Sequence, residues 1–227
     1  MSDSAATRRV VIPGELIDSR GSKPGEGTYA DGGHVYAAQL GIVAQGDGLV
    51  SVIPLGGRYM PRADDEVIGQ VVDLGPSHWL LDINAPYPAP LHATESPWRV
   101  DFGDTGRYMD IGDSAICRVL QVDETKRVQC TMQDRELHKI EGGQIVEVSH
   151  SKVPRIIGKD GSMIQLIKSF TKIQGFVGQN GRIWIDGDPE DVMIATRVIK
   201  LIEDHAQAVG LTEAVNAFLK EAYAGRA

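Results

Sequence analysis

Two hydrophobic periods share this chain. Between residues 67 and 132 apolar and polar side chains alternate, as Val128, Cys130 and Met132 do against Arg127, Gln129 and Thr131. A period of two puts one face of an extended chain in a core, which predicts strands at Val67 to Leu74, His78 to Ile83, Ser114 to Val122 and Arg127 to Met132. Gly75-Pro76-Ser77 turns the first pair and Asp123 to Lys126 the second. A short fifth strand fits near Tyr87 to His92, inside a loop-rich stretch anchored by Leu91 and Trp98. Beyond residue 150 the apolar spacing lengthens to three and four. Met163, Ile164, Ile167 and Phe170 share a face of a helix predicted from Ser162 to Thr171, and Val192, Ala195, Val198, Ile199 and Ile202 one from Glu190 to His205. Asp188-Pro189 opens the latter. Val153 to Ile157 is a single helical turn. Gln144 to Ser149, Ile173 to Val177 and Arg182 to Ile185 are strands, the last two joined around Asn180-Gly181. Leu211 to Tyr223 is one more amphipathic helix, with no partner apparent. Residues 10 to 60 hold glycine-broken strands at Val10 to Ile12, Val35 to Val43 and Leu49 to Leu55, with Gly46-Asp47-Gly48 turning between the last two. The stretch Gly25 to Ala30 spells a G-x-G-x-x-A fingerprint, but no strand leads in and no helix leads out. It is taken as a hairpin turn.

The order strand, helix, helix, strand, strand, helix from residue 144 to 205 resembles a type I KH domain. In VPRIIGKDGSMIQLI the glycines Gly158 and Gly161 lie where that domain clamps single-stranded nucleic acid. Glycine suits the place because a backbone passing close over the loop leaves no room for side chains, and the next helix points its amino end at the phosphates. Ser162 with Gln165 fits a capping box. Candidate RNA-binding residues here are Gly158, Lys159, Asp160, Gly161, Arg155 and Lys152. Upstream, the five strands would close a small OB-type barrel, and VIGQVVDLGPSHWLLDI resembles an S1-type OB domain. Its candidate RNA contacts are His92, Arg107, Lys126 and Arg127, with His78, Trp79 and Arg99 further possibilities. The fold expected is multidomain, mainly β then α+β: an N-terminal β-rich domain over 1–62, an S1-type OB barrel over 63–137 and a type I KH domain with a C-terminal helix over 138–227. The joint around Gln133 to Gly143 is open to being rigid or hinged.

Composition changes this picture at two points. The net charge of −8 over 227 residues is unusual for an RNA binder. Residues 1–62 carry 6 basic and 6 acidic side chains, 63–137 carry 6 and 14, and 138–227 carry 11 and 11, so the whole acid excess lies in the middle. Within 150–182, Lys152, Arg155, Lys159, Lys168, Lys172 and Arg182 face Asp160 alone, a balance of +5 around the glycine loop, which is where an RNA site needs it. Cys117 and Cys130 form no CxxC pair and no metal-ligand pattern, so they read as buried strand residues in a reducing compartment. No metal or cofactor is implied. No apolar run approaches membrane-spanning length and Met1 to Arg9 is too polar for a signal peptide, so a cytoplasmic protein is expected. Asp101, Asp104, Asp110 and Asp113 could be taken for a magnesium cluster. Their spacing follows neither period and no His or Lys accompanies them as a base. A solvated loop is the stronger reading, and no catalytic residue is assigned.

The phrases VIPGELI, GEGTYADGGHVYAAQLG and VSVIPLGGRYMPRADDEVIGQVV, followed by the barrel and one KH domain, resemble the archaeal RNA exosome cap protein of the ribosomal-RNA-processing protein four type over roughly residues 9 to 205. The resemblance implies a non-catalytic subunit, three copies of which cap a hexameric ring of RNase-PH-like subunits that degrades RNA 3′ to 5′ by phosphorolysis. Single-stranded RNA, the ring and the other cap copies would be its partners. It implies that Arg58, Tyr59, Met60 and Pro61 help dock on the ring, that Arg107, Lys126 and Arg127 face the pore, and that the GQNG turn at Gly178 to Gly181 is structural. The alternative is a free-standing S1/KH RNA-binding factor in transcription or translation; such factors carry two KH copies, and this chain has room for one.

Overall fold

The computed structural model describes residues 9–18, 22–46, 48–206, 208 and 210–224. Asp47, placed in a turn above, lies outside them. The chain resolves into two compact units, Met1–Gly57 and Arg58–Ala227.

The first unit is built of short strands: β1 (Val10–Val11), β2 (Leu16–Asp18), β3 (Lys23–Pro24), β4 (Thr28–Asp31), β5 (His34–Ala37), β6 (Gly41–Gly46) and β7 (Leu49–Pro54). They form two sheets, in the orders β1-β6-β7-β3 and β2-β5-β4. The single strand expected from Val35 to Val43 is instead β5 and β6, which belong to different sheets. Gly41 lies flush against β7, where a β-carbon would come 2.2 Å from the Ile53 carbonyl oxygen. The Gly25 to Ala30 segment also differs from expectation. Its turn, fastened by Thr28 Oγ1 donating to the Gly25 carbonyl at 2.7 Å, links β3 to β4 and so joins two sheets, while the hairpin turn proper is Gly32-Gly33, both at positive φ. Val11, Ala37 and Val52 form the centre of this small core, with Ile17 and Val43 against it.

The second unit begins with a closed five-stranded barrel, β8 (Glu66–Leu74), β9 (His78–Asp82), β10 (Ala89–His92), β11 (Ser114–Val122) and β12 (Val128–Thr131). The strand order is β10-β12-β11-β8-β9, closed by the β9–β10 pair, with β10 and β12 parallel. This is the OB connection. Its interior holds Ile68, Trp79, Leu81, Leu91, Ile116 and Cys130, each at most 1 % exposed. Next come β13 (Gln144–Glu147), α1 (Val153–Ile157), α2 (Ser162–Thr171), β14 (Gln174–Val177), β15 (Arg182–Asp186) and α3 (Pro189–Asp204), with the sheet ordered β13-β15-β14. That is the KH arrangement. Helix α4 (Leu211–Ala224) completes its core, burying Leu211, Val215 and Leu219 among the other helices, so the C-terminal helix has its partner within the chain. No helix among the described residues is long and apolar enough to cross a membrane.

Register explains how barrel and KH fold join. Val146, Ile183 and Val177 lie opposite one another across the sheet and face the helices, whereas the neighbouring row, Ile145, Trp184 and Phe176, packs against the barrel core. Successive strand residues point to opposite faces, so this sheet is covered on both sides. The four-residue turn between β14 and β15 then enters the barrel wall. Asn180, 0 % exposed, donates from its amide to the carbonyls of Ile68 (2.8 Å) and Ile83 (2.9 Å) and accepts from Ile68 N–H at 3.3 Å. Asn84 Nδ2 donates to the Asn180 carbonyl at 2.9 Å. Arg182 is buried beside it and binds Asp82 and Glu147.

Candidate nucleic-acid interface

Helix α1 ends because Gly158 turns out of it at φ 76°, ψ 176°. A β-carbon at Gly158 would lie 2.7 Å from both Cβ and N of Met163, so glycine is required by contact as well as by backbone angle. Lys159 to Gly161 make one 3₁₀ turn in which Asp160 also has positive φ, 53°, a conformation aspartate adopts more readily than most residues. Gly161, at φ 76°, meets only the Gln165 side chain, 3.7 Å away, so its surface is open.

The capping box expected at Ser162 does not form. Gly161 in the left-handed region is itself the N-cap, Ser162 is already helical, and no side chain caps the helix. The first N–H groups of α2 are therefore not satisfied by a capping side chain and carry the positive end of the helix dipole. That suits them to phosphate oxygens.

The cations around the loop separate into two sets. Arg155 and Lys159 are exposed, and among the described residues they make no ion pair. Lys172 is also exposed but caps the far end of α2, ten residues or about 15 Å along the helix. The other three are committed elsewhere. Lys168 donates to the Gly175 carbonyl at 2.9 Å, Lys152 is within electrostatic reach of Glu203, and Arg182 is turned into the barrel joint. The local excess of +5 thus overstates what RNA would meet. Arg155 and Lys159, against Asp160 in the same loop, are what the site offers.

The barrel candidates fall at two ends. His92, exposed at the end of β10, pairs in register with His78 beside the Gly75–Ser77 turn, and its Nδ1 lies 2.8 Å from Thr94 Oγ1. Thr105 Oγ1 bonds the Gly75 carbonyl at 2.8 Å, which brings Arg107 to the same end. Arg107 is 77 % exposed and pairs with Asp104 at 2.9 Å, a contact that water and salt screen heavily. Lys126 and Arg127 sit in the β11–β12 hairpin, past the point where β8 begins opposite Arg118, and so at the other end. There the Asp123 carboxylate accepts from Thr125 Oγ1 (2.7 Å) and Arg127 N–H (2.8 Å). These bonds, the Thr125 one foremost, hold its carboxyl below the usual range. Trp79 is not a contact: it is 0 % exposed and its indole N–H bonds the carbonyls of Thr105 and Met109.

Of the segment Arg58 to Pro61, Arg58 and Met60 are exposed and Pro61 half-buried. Tyr59 is different. Its ring lies in the barrel core, its hydroxyl donates to Asp65 at 2.6 Å, and it meets His150 of the KH fold edge-on at 6.1 Å. Burial, reinforced by the Asp65 bond, raises its pKa far above the ordinary phenol value. Tyr59, 5 % exposed, holds the segment in place.

Three of the four carboxylates of the long loop have partners of their own. Asp104 pairs with Arg107, Asp110 accepts from Ile111 N–H, and Asp113 accepts from Lys139 at 2.6 Å and Asp110 N–H at 2.8 Å. A lysine does accompany this loop, but as an ion-pair partner. No metal-holding group of His, Cys, Asp or Glu occurs among the described residues. The Lys139 bond, then the Asp110 one, holds the Asp113 carboxyl below its ordinary value. A depressed folded pKa adds stability above the unfolded carboxylate value, about 3.9, and loses it as pH falls through the folded one. Lys139→Met should therefore cost up to about 1 kcal/mol at pH 7. Urea titrations at pH 7 and pH 3 should show the gap from wild type closing in acid; a pH-independent gap would mean the lysine acts through packing.

Comparison with known proteins bears on this geometry. Residues 8–56 match the family model of the exosome RNA binding protein RRP4 N-terminal domain, and residues 143–191 match the KH domain model. The chain is 41 % identical over 218 residues to the exosome complex component Rrp4 of Picrophilus torridus, covering 96 % of this chain and 95 % of that one. It belongs to the Rrp4 family. The Methanosarcina mazei member is 45 % identical over 213 residues, 94 % of this chain and 82 % of its own. A solved structure titled as an exosome complex RNA-binding protein superposes with a TM-score of 0.69 at 34 % identity, covering 75 % of this chain and all of that one. In this Rrp4 family member the barrel, which neither family model spans, is identified by its strand order and closure. The residues that sequence reasoning passed over are those of the barrel–KH joint. Their signal was only the GQNG turn.

Proposed function

We propose that this chain is a non-catalytic, RNA-binding cap subunit of an exosome. Three copies sit on a hexameric ring of RNase-PH-like subunits and deliver single-stranded RNA to its pore for phosphorolysis from the 3′ end. The N-terminal domain (1–62) grips the ring, the S1-type barrel (63–137) stands at the pore and the KH domain (138–227) lies outermost, in the cytoplasm. The observation that carries this reading is the open glycine loop, with Arg155 and Lys159 free beside an uncapped helix end, in a chain of this family.

Gly158, Lys159, Gly161 and Arg155 take the RNA backbone, with Lys152 behind them. Asp160 repels phosphate and keeps the contact weak. His92, Arg107, Lys126 and Arg127 add barrel contacts at its two ends. Weak sites repeated three times around one pore act through effective concentration, so none needs to bind tightly alone. An acidic barrel surface limits nonspecific adhesion of RNA.

Two measurements test the proposal. Mixed with the purified ring, the wild-type chain should give an assembly whose native mass corresponds to three copies per ring, and labelled RNA incubated with the chain alone and magnesium should stay intact. Lys159→Asp makes the loop doubly acidic with Asp160. It should weaken RNA binding by about 1–3 kcal/mol and lower the slope of affinity against salt by about one. Identical titrations of variant and wild type at two salt concentrations would remove the loop from the interface.

A further inference from the structure

The turn Gly75-Pro76-Ser77 at one end of the barrel gathers side chains from separate parts of the chain. The imidazole of His78 folds back over Gly75, where a β-carbon would come 2.2 Å from its Cε1. His92 lies opposite His78 in register, and Ala93 N–H donates to the Ser77 carbonyl at 2.9 Å. Gly103 N–H donates to the Pro76 carbonyl at 2.8 Å, and Thr105 Oγ1 to that of Gly75, which brings Phe102 and Arg107 to the same turn. Phe102 is 84 % exposed, the highest value of any large apolar side chain among the described residues. Its backbone is fixed all the same. Asp101 to Asp104 form a turn closed by Asp104 N–H on the Asp101 carbonyl at 3.0 Å, with Gly103 at φ 91° in third place, the positive φ that a type II turn requires there. Phe102 takes the second place, its ring in water.

We propose that Phe102 is an RNA-stacking residue: its ring, with the Arg107 guanidinium and the two imidazoles around the same turn, takes a base of single-stranded RNA. The proposal rests on the RNA-binding reading above and adds a contact of a different kind. Aromatic rings, imidazoles and guanidinium planes are the groups on which unpaired bases stack. An apolar ring held in water is unfavourable until something lies on it. Charge separates this site from the KH loop. Asp104 is already paired with Arg107, and Asp101 adjoins the ring, so phosphate gains little here. Stacking needs no net charge, and every base has a π-face, so the contact tolerates any sequence. The KH loop thus holds the backbone and answers to salt, while the barrel end holds a base. A protein pocket is the competing occupant. The centre of a protein contact is depleted of charged residues, whereas the neighbours of Phe102 at this turn are two imidazoles and a guanidinium.

The experiment titrates the full chain into fluorescein-labelled oligoadenylate, read by anisotropy at two salt concentrations, with circular dichroism as the folding control. Phe102→Ala should weaken binding about tenfold, the size expected for one stacked base, and leave the slope of affinity against salt as in wild type. Phe102→Trp keeps a stacking plane and should bind as wild type does. Phe102→Leu keeps apolar volume without the plane and should fall as alanine does. An oligomer of the same length that lacks bases should bind wild type and Phe102→Ala equally. Unchanged affinity in Phe102→Ala overturns the proposal and leaves the cap reading standing. A leucine variant that matches wild type marks a plain apolar contact and overturns stacking. Loss of ring loading in native mass spectrometry, with RNA affinity unchanged, assigns Phe102 to a protein pocket and overturns the base as its occupant. A wild-type chain that binds no oligoadenylate overturns this proposal and the RNA-binding reading together.

Discussion

Asn180→Ala is expected to cost the 58–227 unit about 3 kcal/mol, a large effect for a residue in a hairpin turn. The side chain satisfies three backbone groups at once, the carbonyls of Ile68 and Ile83 and the N–H of Ile68. Alanine would leave them buried without partners, and each such group costs about 1–3 kcal/mol. Water that enters the gap would recover part of that. Asn180→Asp should be worse at neutral pH, because a carboxylate would replace the donating amide against two carbonyl oxygens. Tryptophan fluorescence is a selective probe here: Trp79, Trp98 and Trp184 are the only three and all lie in this unit. Urea titration should show wild type unfolding with its tryptophans in one transition. The alanine variant should move that transition down, with Trp184 separating from the barrel tryptophans when single-tryptophan versions are compared. A shift below about 0.5 kcal/mol, the range of ordinary surface substitutions, would mean the turn merely rests on the barrel.

The same turn shows where sequence reading stopped. Asn-Gly between two alternating runs signals a tight hairpin, and the hairpin is there. The signal is local, however, and turn tips are usually solvated. Nothing in the neighbouring residues says that this tip would end in a barrel wall contributed by residues about 110 positions earlier, as the Ile68–Asn180 separation of 112 records. Tyr59 was obscured likewise, as an aromatic in an apparent linker is indistinguishable from an exposed anchor until its hydroxyl is seen on Asp65. Where period and punctuation agreed, the pattern was sufficient. Helices α1 and α2 run from Val153 to Ile157 and from Ser162 to Thr171 as expected, since the glycines that end one and begin the other are dictated by backbone angle. The N-terminal unit was least legible. Its strands β2, β3 and β4 are two to four residues long, too short for a period of two to declare itself. The basic excess near the glycine loop was visible, but charge counting could not show that Arg182 points the other way.

Arg182→Met is the second large effect, and it tests whether the joint is held by charge or by shape. The guanidinium, 8 % exposed as a side chain, donates from Nη2 to Asp82 Oδ2 at 2.6 Å, from Nη1 to the Asp82 carbonyl at 2.6 Å, and from Nε to Glu147 Oε1 at 2.9 Å. Asp82 belongs to the barrel and Glu147 to the KH sheet, so one side chain ties both bodies. Methionine fills similar volume but leaves the Asp82 carbonyl bare, and a loss of about 3 kcal/mol is expected. Arg182→Lys should recover less than half, since an ammonium is a single point donor and cannot fork between two carboxylates and a carbonyl. Asp82→Ala keeps the cation and removes a carboxylate that is itself 41 % exposed. Its cost should be about 1.5–3 kcal/mol, that of a charged hydrogen bond lost, and below that of breaking a fully buried pair. The double variant Arg182→Met with Asp82→Ala should cost clearly less than the sum of the two, because each single change already breaks the shared pair. Strict additivity would show that the Asp82 carboxylate is incidental and that Arg182 holds the joint through its packing, the Asp82 carbonyl and Glu147.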